Sequence, residues 1–146
     1  MHSALEVLRS DDQIAELVQA FEAGTLPRPA WTHGAHLTVA LCYLRRWPRP
    51  LATERLRQAI QRYNAVAGSG MGYHETITLA WIAVVAQYLA EHDFGQSSSS
   101  LTAGLLERCG DKHYLQRFYS PAVLMSETAR RAWTPPDLSP IEPDAR

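Results

Sequence analysis

The sequence predicts an all-α fold, a single-domain bundle of five to seven helices with a buried central helix. Three observations carry this expectation. Apolar residues recur at three- and four-residue spacing along most of the chain, and no segment shows the alternation of a half-buried strand. Glycine and proline clusters punctuate the chain at intervals that suit helices. One segment, residues 77–90, is apolar nearly all round, as a helix at the centre of a bundle would be. A chain of 146 residues fits one such domain and can bury a sizeable core.

The elements follow in order. Ile14, Leu17, Val18 and Phe21 form an amphipathic stripe over 10–23, with Ser10 or Asp11 as its cap and Gly24 as its stop. Leu26-Pro27-Arg28-Pro29 reads as an extended linker. Thr32 caps a second helix reaching about Arg46, which Trp47-Pro48-Arg49-Pro50 ends. A third runs over about 52–67 with Leu56, Ile60, Tyr63 and Val66 on one face, and the glycines of 68–72 break the chain. The fourth, about 73–91, is the expected centre, packed by the second and third. Residues 96–100 are a serine-rich loop, 101–109 a shorter helix, and 122–133 a last helix opened by Ser120-Pro121. The core spans about 10–133, and 134–146 reads as an extended or disordered tail. There are no internal repeats.

Composition narrows the function classes. Fourteen basic and fifteen acidic residues are scattered, so no basic footprint for nucleic acid is present. Arg45, Arg46 and Arg49 cluster locally among prolines and read as a solvated connector. No apolar segment approaches the roughly 20 residues that a membrane span needs. The first residues lack a basic stretch followed by an apolar one, so no signal peptide is expected. Cys42 and Cys109 match no metal or redox spacing. Together these features predict a cytoplasmic protein.

The chemistry-bearing residues gather at two helix starts, Trp31-Thr32-His33-Gly34-Ala35-His36-Leu37 and Gly72-Tyr73-His74-Glu75-Thr76-Ile77-Thr78. His33 and His36 are three apart and can face one side of a helix. With His74, they make a candidate three-ligand site for a divalent metal ion, the cofactor such a set would hold. As catalytic candidates, His36 or His74 would be a general base, Glu75 an orienting or ligating carboxylate, and Tyr119 a hydroxyl donor. Thr78 and Trp81 share the His74 face of the fourth helix and could bind a small molecule. Arg117 would clamp an anionic group. The plainer reading makes these histidines hydrogen-bonding helix caps, Trp81 core, and Thr78 a back-bonder to its own helix. His74-Glu75-Thr76-Ile77-Thr78 puts threonine where a zincin has its second histidine, and no E-x-x-H of di-iron bundles occurs.

His92-Asp93, with His36 upstream and Asp111 downstream, parallels the metal-binding dipeptide of HD-type phosphohydrolases. It falls at a helix end, and its last interval is short for that family.

The two histidine segments, with Phe118-Tyr119-Ser120 leading to Leu124 and Ser126, and Ala129-Arg130 leading to Pro136-Asp137-Leu138, resemble a family of small bacterial proteins of uncharacterised activity. The likeness spans about residues 20–140, and Tyr73-His74-Glu75-Thr76-Ile77-Thr78 is its most distinctive part. That family typically carries Phe-Thr-His-x-x-His-Leu, Tyr-His-x-Thr-Ile-Thr and Tyr-Tyr-Ser. This chain departs with Trp31 and Phe118, and the second change removes a hydroxyl. The resemblance marks His33, His36, His74 and Thr78 as site positions and implies no particular activity.

Three functional expectations follow. The first is a small-molecule or divalent-metal site built on His33, His36, His74 and Glu75. The second is a non-enzymatic scaffold or interaction domain with structural histidines, for which a homodimer interface would be one use. The third is an HD-type hydrolase.

Overall fold

Helix α1 (Asp11–Ala23) shows how closely local sequence controls the helix ends in the computed structural model, which describes residues 8–68 and 72–142. Ser10 and Gln13 form a reciprocal capping box: the Ser10 hydroxyl accepts from the Gln13 amide at 3.1 Å, and the Gln13 side chain accepts from the Ser10 amide at 2.9 Å. Gly24 closes the helix at φ 77°, a left-handed conformation that costs glycine nothing. The apolar stripe then buries Ile14, Leu17 and Phe21.

Six further α-helices follow among the described residues: α2 (His33–Arg46), α3 (Arg49–Ala67), α4 (Glu75–His92), α5 (Ser98–Cys109), α6 (Pro121–Leu124) and α7 (Glu127–Arg131). No strand occurs among the described residues, and the all-α single bundle is as predicted. Among them no helix is long and apolar enough to cross a membrane. The first seven residues, residues 69–71 of the glycine break and residues 143–146 of the tail lie outside the described residues.

The departures from expectation have local causes. Arg28–Ala30, read as extended, forms a short 3-10 turn. Helix α3 starts earlier than expected because Pro50 sits in its first turn, where a missing N–H leaves no partner unsatisfied. Helix α5 takes in three of the serines assigned to a loop, because the Ser97 hydroxyl accepts from the Ser100 amide at 3.1 Å and caps it. The expected 122–133 helix divides in two at Ser126. Its hydroxyl donates to the Val123 carbonyl at 2.7 Å and accepts from the Ala129 amide at 3.1 Å, ending α6 and capping α7.

The hub of the bundle is α2 rather than α4. Eight of its residues are buried, and it packs against α1, α3, α4 and α5. Helix α4 rests on α2, α3, α5 and α7, yet Ile77, Leu79 and Trp81 stay partly exposed. Its all-round apolar surface serves a cavity on one side and the C-terminal helices on another.

Arg45 is not solvated. It grips the α4–α5 turn through a two-point ion pair with Asp93 (3.1 and 3.3 Å), Ser98 Oγ (2.9 Å) and the Gln96 carbonyl (2.8 Å). The described part of the tail is pinned to the helices. The buried Thr76 hydroxyl donates to the Ala132 carbonyl at 2.8 Å and accepts from the Thr134 amide at 3.0 Å. Further along, Asp137 accepts from the Ser120 amide, the Leu138 amide donates to the Phe118 carbonyl, and Arg49 pairs with Glu142.

Candidate functional site

A cavity of about 640 Å³ opens between α2, α3 and α4, a size that suits a small organic molecule. Its back wall begins with a stack of three flat rings. Phe21 lies 4.4 Å from Trp31 at 15°, and Trp31 lies 3.9 Å from His36 at 29°, centroid to centroid. Tyr63 leans on both Phe21 and Trp31 at 5.4 Å and donates its hydroxyl to the Leu26 carbonyl at 2.8 Å. That bond ties the proline-flanked connector to α3 and holds Trp31 in place. Leu56, Ile60 and Asn64 of α3 form one side, while Ile77, Thr78 and Trp81 of α4 form the other.

His36 is the polar centre of this wall. Its ring is exposed to the cavity, and no described residue hydrogen-bonds its nitrogens. The protein packed behind it lowers its pKa to about 3, chiefly by desolvation, with His33 and the Arg28 guanidinium adding repulsion. At neutral pH the imidazole is therefore uncharged. An uncharged ring offers one donor and one acceptor to a ligand. It is poorly matched to general-base work near pH 7, where a catalytic pKa close to the operating pH is best.

His74 also lines the cavity, but both its nitrogens are committed. Nδ1 accepts from the Ile77 amide at 3.1 Å, capping α4 as a serine or aspartate would. Nε2–H then donates to the Leu124 carbonyl at 2.9 Å, which sets the tautomer and fastens α6 to α4. Burial holds its pKa below the usual imidazole range. The expected roles of base and metal ligand would require breaking one of these bonds. His33 faces Trp81 edge-on at 4.7 Å. Among the described residues, no three His, Cys, Asp or Glu side chains come together as a metal-ligand group, so His33, His36 and His74 do not form the predicted metal set.

Glu75 does not line the cavity. Its carboxylate pairs with Arg57 through two contacts, 3.2 and 2.9 Å, and accepts the Tyr73 hydroxyl at 2.8 Å. It therefore fastens α4 to α3 instead of facing a ligand. Burial, with Glu75 accepting its proton, pushes Tyr73 up to about 12. Thr78 lines the cavity while its hydroxyl donates to the His74 carbonyl at 2.8 Å, and Trp81 lines it and stacks on Tyr114 at 5.8 Å.

Tyr119 and Arg117 belong elsewhere. Tyr119 is fully buried, and its hydroxyl donates to the Thr134 carbonyl at 2.6 Å, so it anchors the tail. Burial raises its pKa to about 12, which makes it a poor proton donor at neutral pH. Arg117 is exposed and lies over the Tyr114 ring at 4.6 Å. The HD-type pattern does not assemble either. His92 Nδ1–H donates to the Tyr88 carbonyl, Asp93 pairs with Arg45, and Asp111 accepts from the His113 amide.

Sequence reasoning missed Arg28, Asn64, Lys112 and Met125 as lining residues, quoted Trp31 only within a helix-start motif and named Arg130 only through the resemblance. Asn64 had a usable signal, since it sits one helical turn beyond Ile60 on a face the stripe already marked. Arg28 had none, because it lies in a segment read as a linker.

Compared with known proteins, the chain matches no family model, no curated protein and no solved structure.

Proposed function

We propose that this protein binds a small, largely apolar molecule in the cavity between α2, α3 and α4, as a binding protein more than as a catalyst. The observation that carries this is the His36 ring, stacked on Trp31 and turned into an apolar-walled space with no hydrogen-bond partner for its nitrogens among the described residues. Binding sites are typically apolar enclosures with a few placed polar groups, and this wall has that composition. All four positions marked by the family resemblance line the same space, which supports the reading. The depressed pKa of His36 and the engaged nitrogens of His74 favour recognition over proton transfer. Two free thiols, Cys42 and Cys109, fit action in a reducing cytoplasm.

The test is titration with N-phenylnaphthylamine, an uncharged flat fluorophore. We expect saturable binding at one site per chain, with energy transfer from tryptophan that weakens in Trp81→Phe. Ile60→Trp, which fills the space from the α3 side, should abolish it while the helical circular dichroism persists. Absence of binding, or binding unaffected by both substitutions, would overturn the proposal.

A further inference from the structure

The charges around the cavity are all of one sign. Arg28, Lys112 and Arg130 line it, and no aspartate or glutamate is among the described lining residues. The nearest carboxylates are engaged elsewhere: Glu75 with Arg57 and the Tyr73 hydroxyl, and Glu127 with Arg131 at 2.9 Å. Arg130 has Glu127 at 3.9 Å and donates to the Tyr73 carbonyl at 3.3 Å, so it is already held in place. Neither Arg28 nor Lys112 pairs with a carboxylate among the described residues. Among the described residues, Arg28 donates only to Asn64 Oδ1, at 3.5 Å.

Arg28 is also pre-placed. Pro27 and Pro29 flank it in a 3-10 turn, and the Tyr63–Leu26 bond holds that connector against α3. Proline fixes the backbone on either side, so little chain entropy remains to be lost when the guanidinium takes a partner. Like-signed charges around a concave, low-dielectric space focus their field inside it. His36 cannot neutralise that field, because it bears no negative charge in either protonation state.

Resting on the proposed binding function, we infer that the ligand is an amphipathic anion: a flat apolar body against Trp31, Ile60 and Trp81, with one carboxylate, sulfonate or phosphate group met by Arg28 and Lys112. Asn64 and the neutral His36 imidazole supply the uncharged polar contacts.

The experiment compares two dyes that share one body, N-phenylnaphthylamine and its sulfonated form, anilinonaphthalene sulfonate. The sulfonate should bind tighter by about tenfold or more, the scale of one charge-assisted hydrogen bond. Added salt should erode that preference. In the Arg28→Gln/Lys112→Gln double variant that preference should be lost. Both sites are exposed, so the variant should fold normally. Equal affinities in the parent, or a preference that survives the double variant, would overturn the anion inference and leave the binding function standing. Sulfonate binding that persists in Ile60→Trp would place the dye outside the cavity and also overturn it. Failure of both dyes would remove the binding function itself.

Discussion

His36 and His74 occupy equivalent places in the sequence, each at the start of an apolar helix, yet their nitrogens meet opposite fates. His74 spends one on the Ile77 amide and the other on the Leu124 carbonyl, whereas His36 spends neither on a described residue. Both rings are nevertheless harder to protonate than a free imidazole, chiefly because burial penalises the charge. The unfolded chain takes up a proton at each site near its ordinary value of 6.5, which the native state refuses. Stability from these sites is therefore complete above that value and is lost as the pH falls, for His36 down to about 3. Urea denaturation between about pH 7 and pH 5, above the range where carboxylates titrate, should show falling stability, and a His36→Gln/His74→Asn double variant should show a shallower slope. An unchanged slope would mean the rings ionise freely in the folded protein.

At the scale of elements, one hydrogen bond that composition does not advertise helps to join α4 and α5. Tyr88 of α4 is buried, and its hydroxyl donates to the Leu101 carbonyl at 2.9 Å. The path of that side chain crosses Gly104, where an added methyl would run into the hydroxyl. Helix propensity alone favours alanine over glycine by about 1 kcal/mol in a helix interior. Here the collision should reverse the sign, so Gly104→Ala is expected to lower stability by about 1–3 kcal/mol through overpacking, measured by chemical denaturation. A stabilised variant would show that Tyr88 can move aside without loss. The same scale explains where helix ends were legible. Ser10, Gly24 and Thr32 act on their own neighbours in sequence, so α1 and the start of α2 are readable without a fold. Ser97 and Ser126 also cap locally, but they sit in segments whose composition argued first for a loop and then for an unbroken helix.

Across the whole molecule, the C-terminal segment closes the bundle through groups distant in sequence. Thr76 is buried at the start of α4 and satisfies both the Ala132 carbonyl and the Thr134 amide. Thr76→Val keeps the shape and removes both bonds. It should cost about 1–3 kcal/mol, because two backbone groups lose their partner. Limited proteolysis should then cut residues 134–142 sooner, while dye binding in the cavity stays intact. A tail as resistant as the parent's would assign its anchoring to Tyr119, Asp137 and Glu142 instead.

The all-α class and four of the helices were readable in the sequence because periodicity and capping act over three or four residues. The same reading named His33, His36, His74, Glu75, Thr78, Trp81, Arg117 and Tyr119 as candidates, and of these His33, His36, His74, Thr78 and Trp81 line one cavity. Only the tertiary structure decided which of these side chains are available to a ligand. Hydrogen-bond partners such as Leu124 for His74 and Thr134 for Tyr119, and the Arg57 that takes up Glu75, come from other elements. Which element meets which depends on packing α2 at the hub, a contest between apolar faces that periodicity along one chain does not rank. The cationic lining arose in the same way: Arg28, Lys112 and Arg130 are far apart in sequence, and a shared electrostatic field exists only once the fold has brought them around one space.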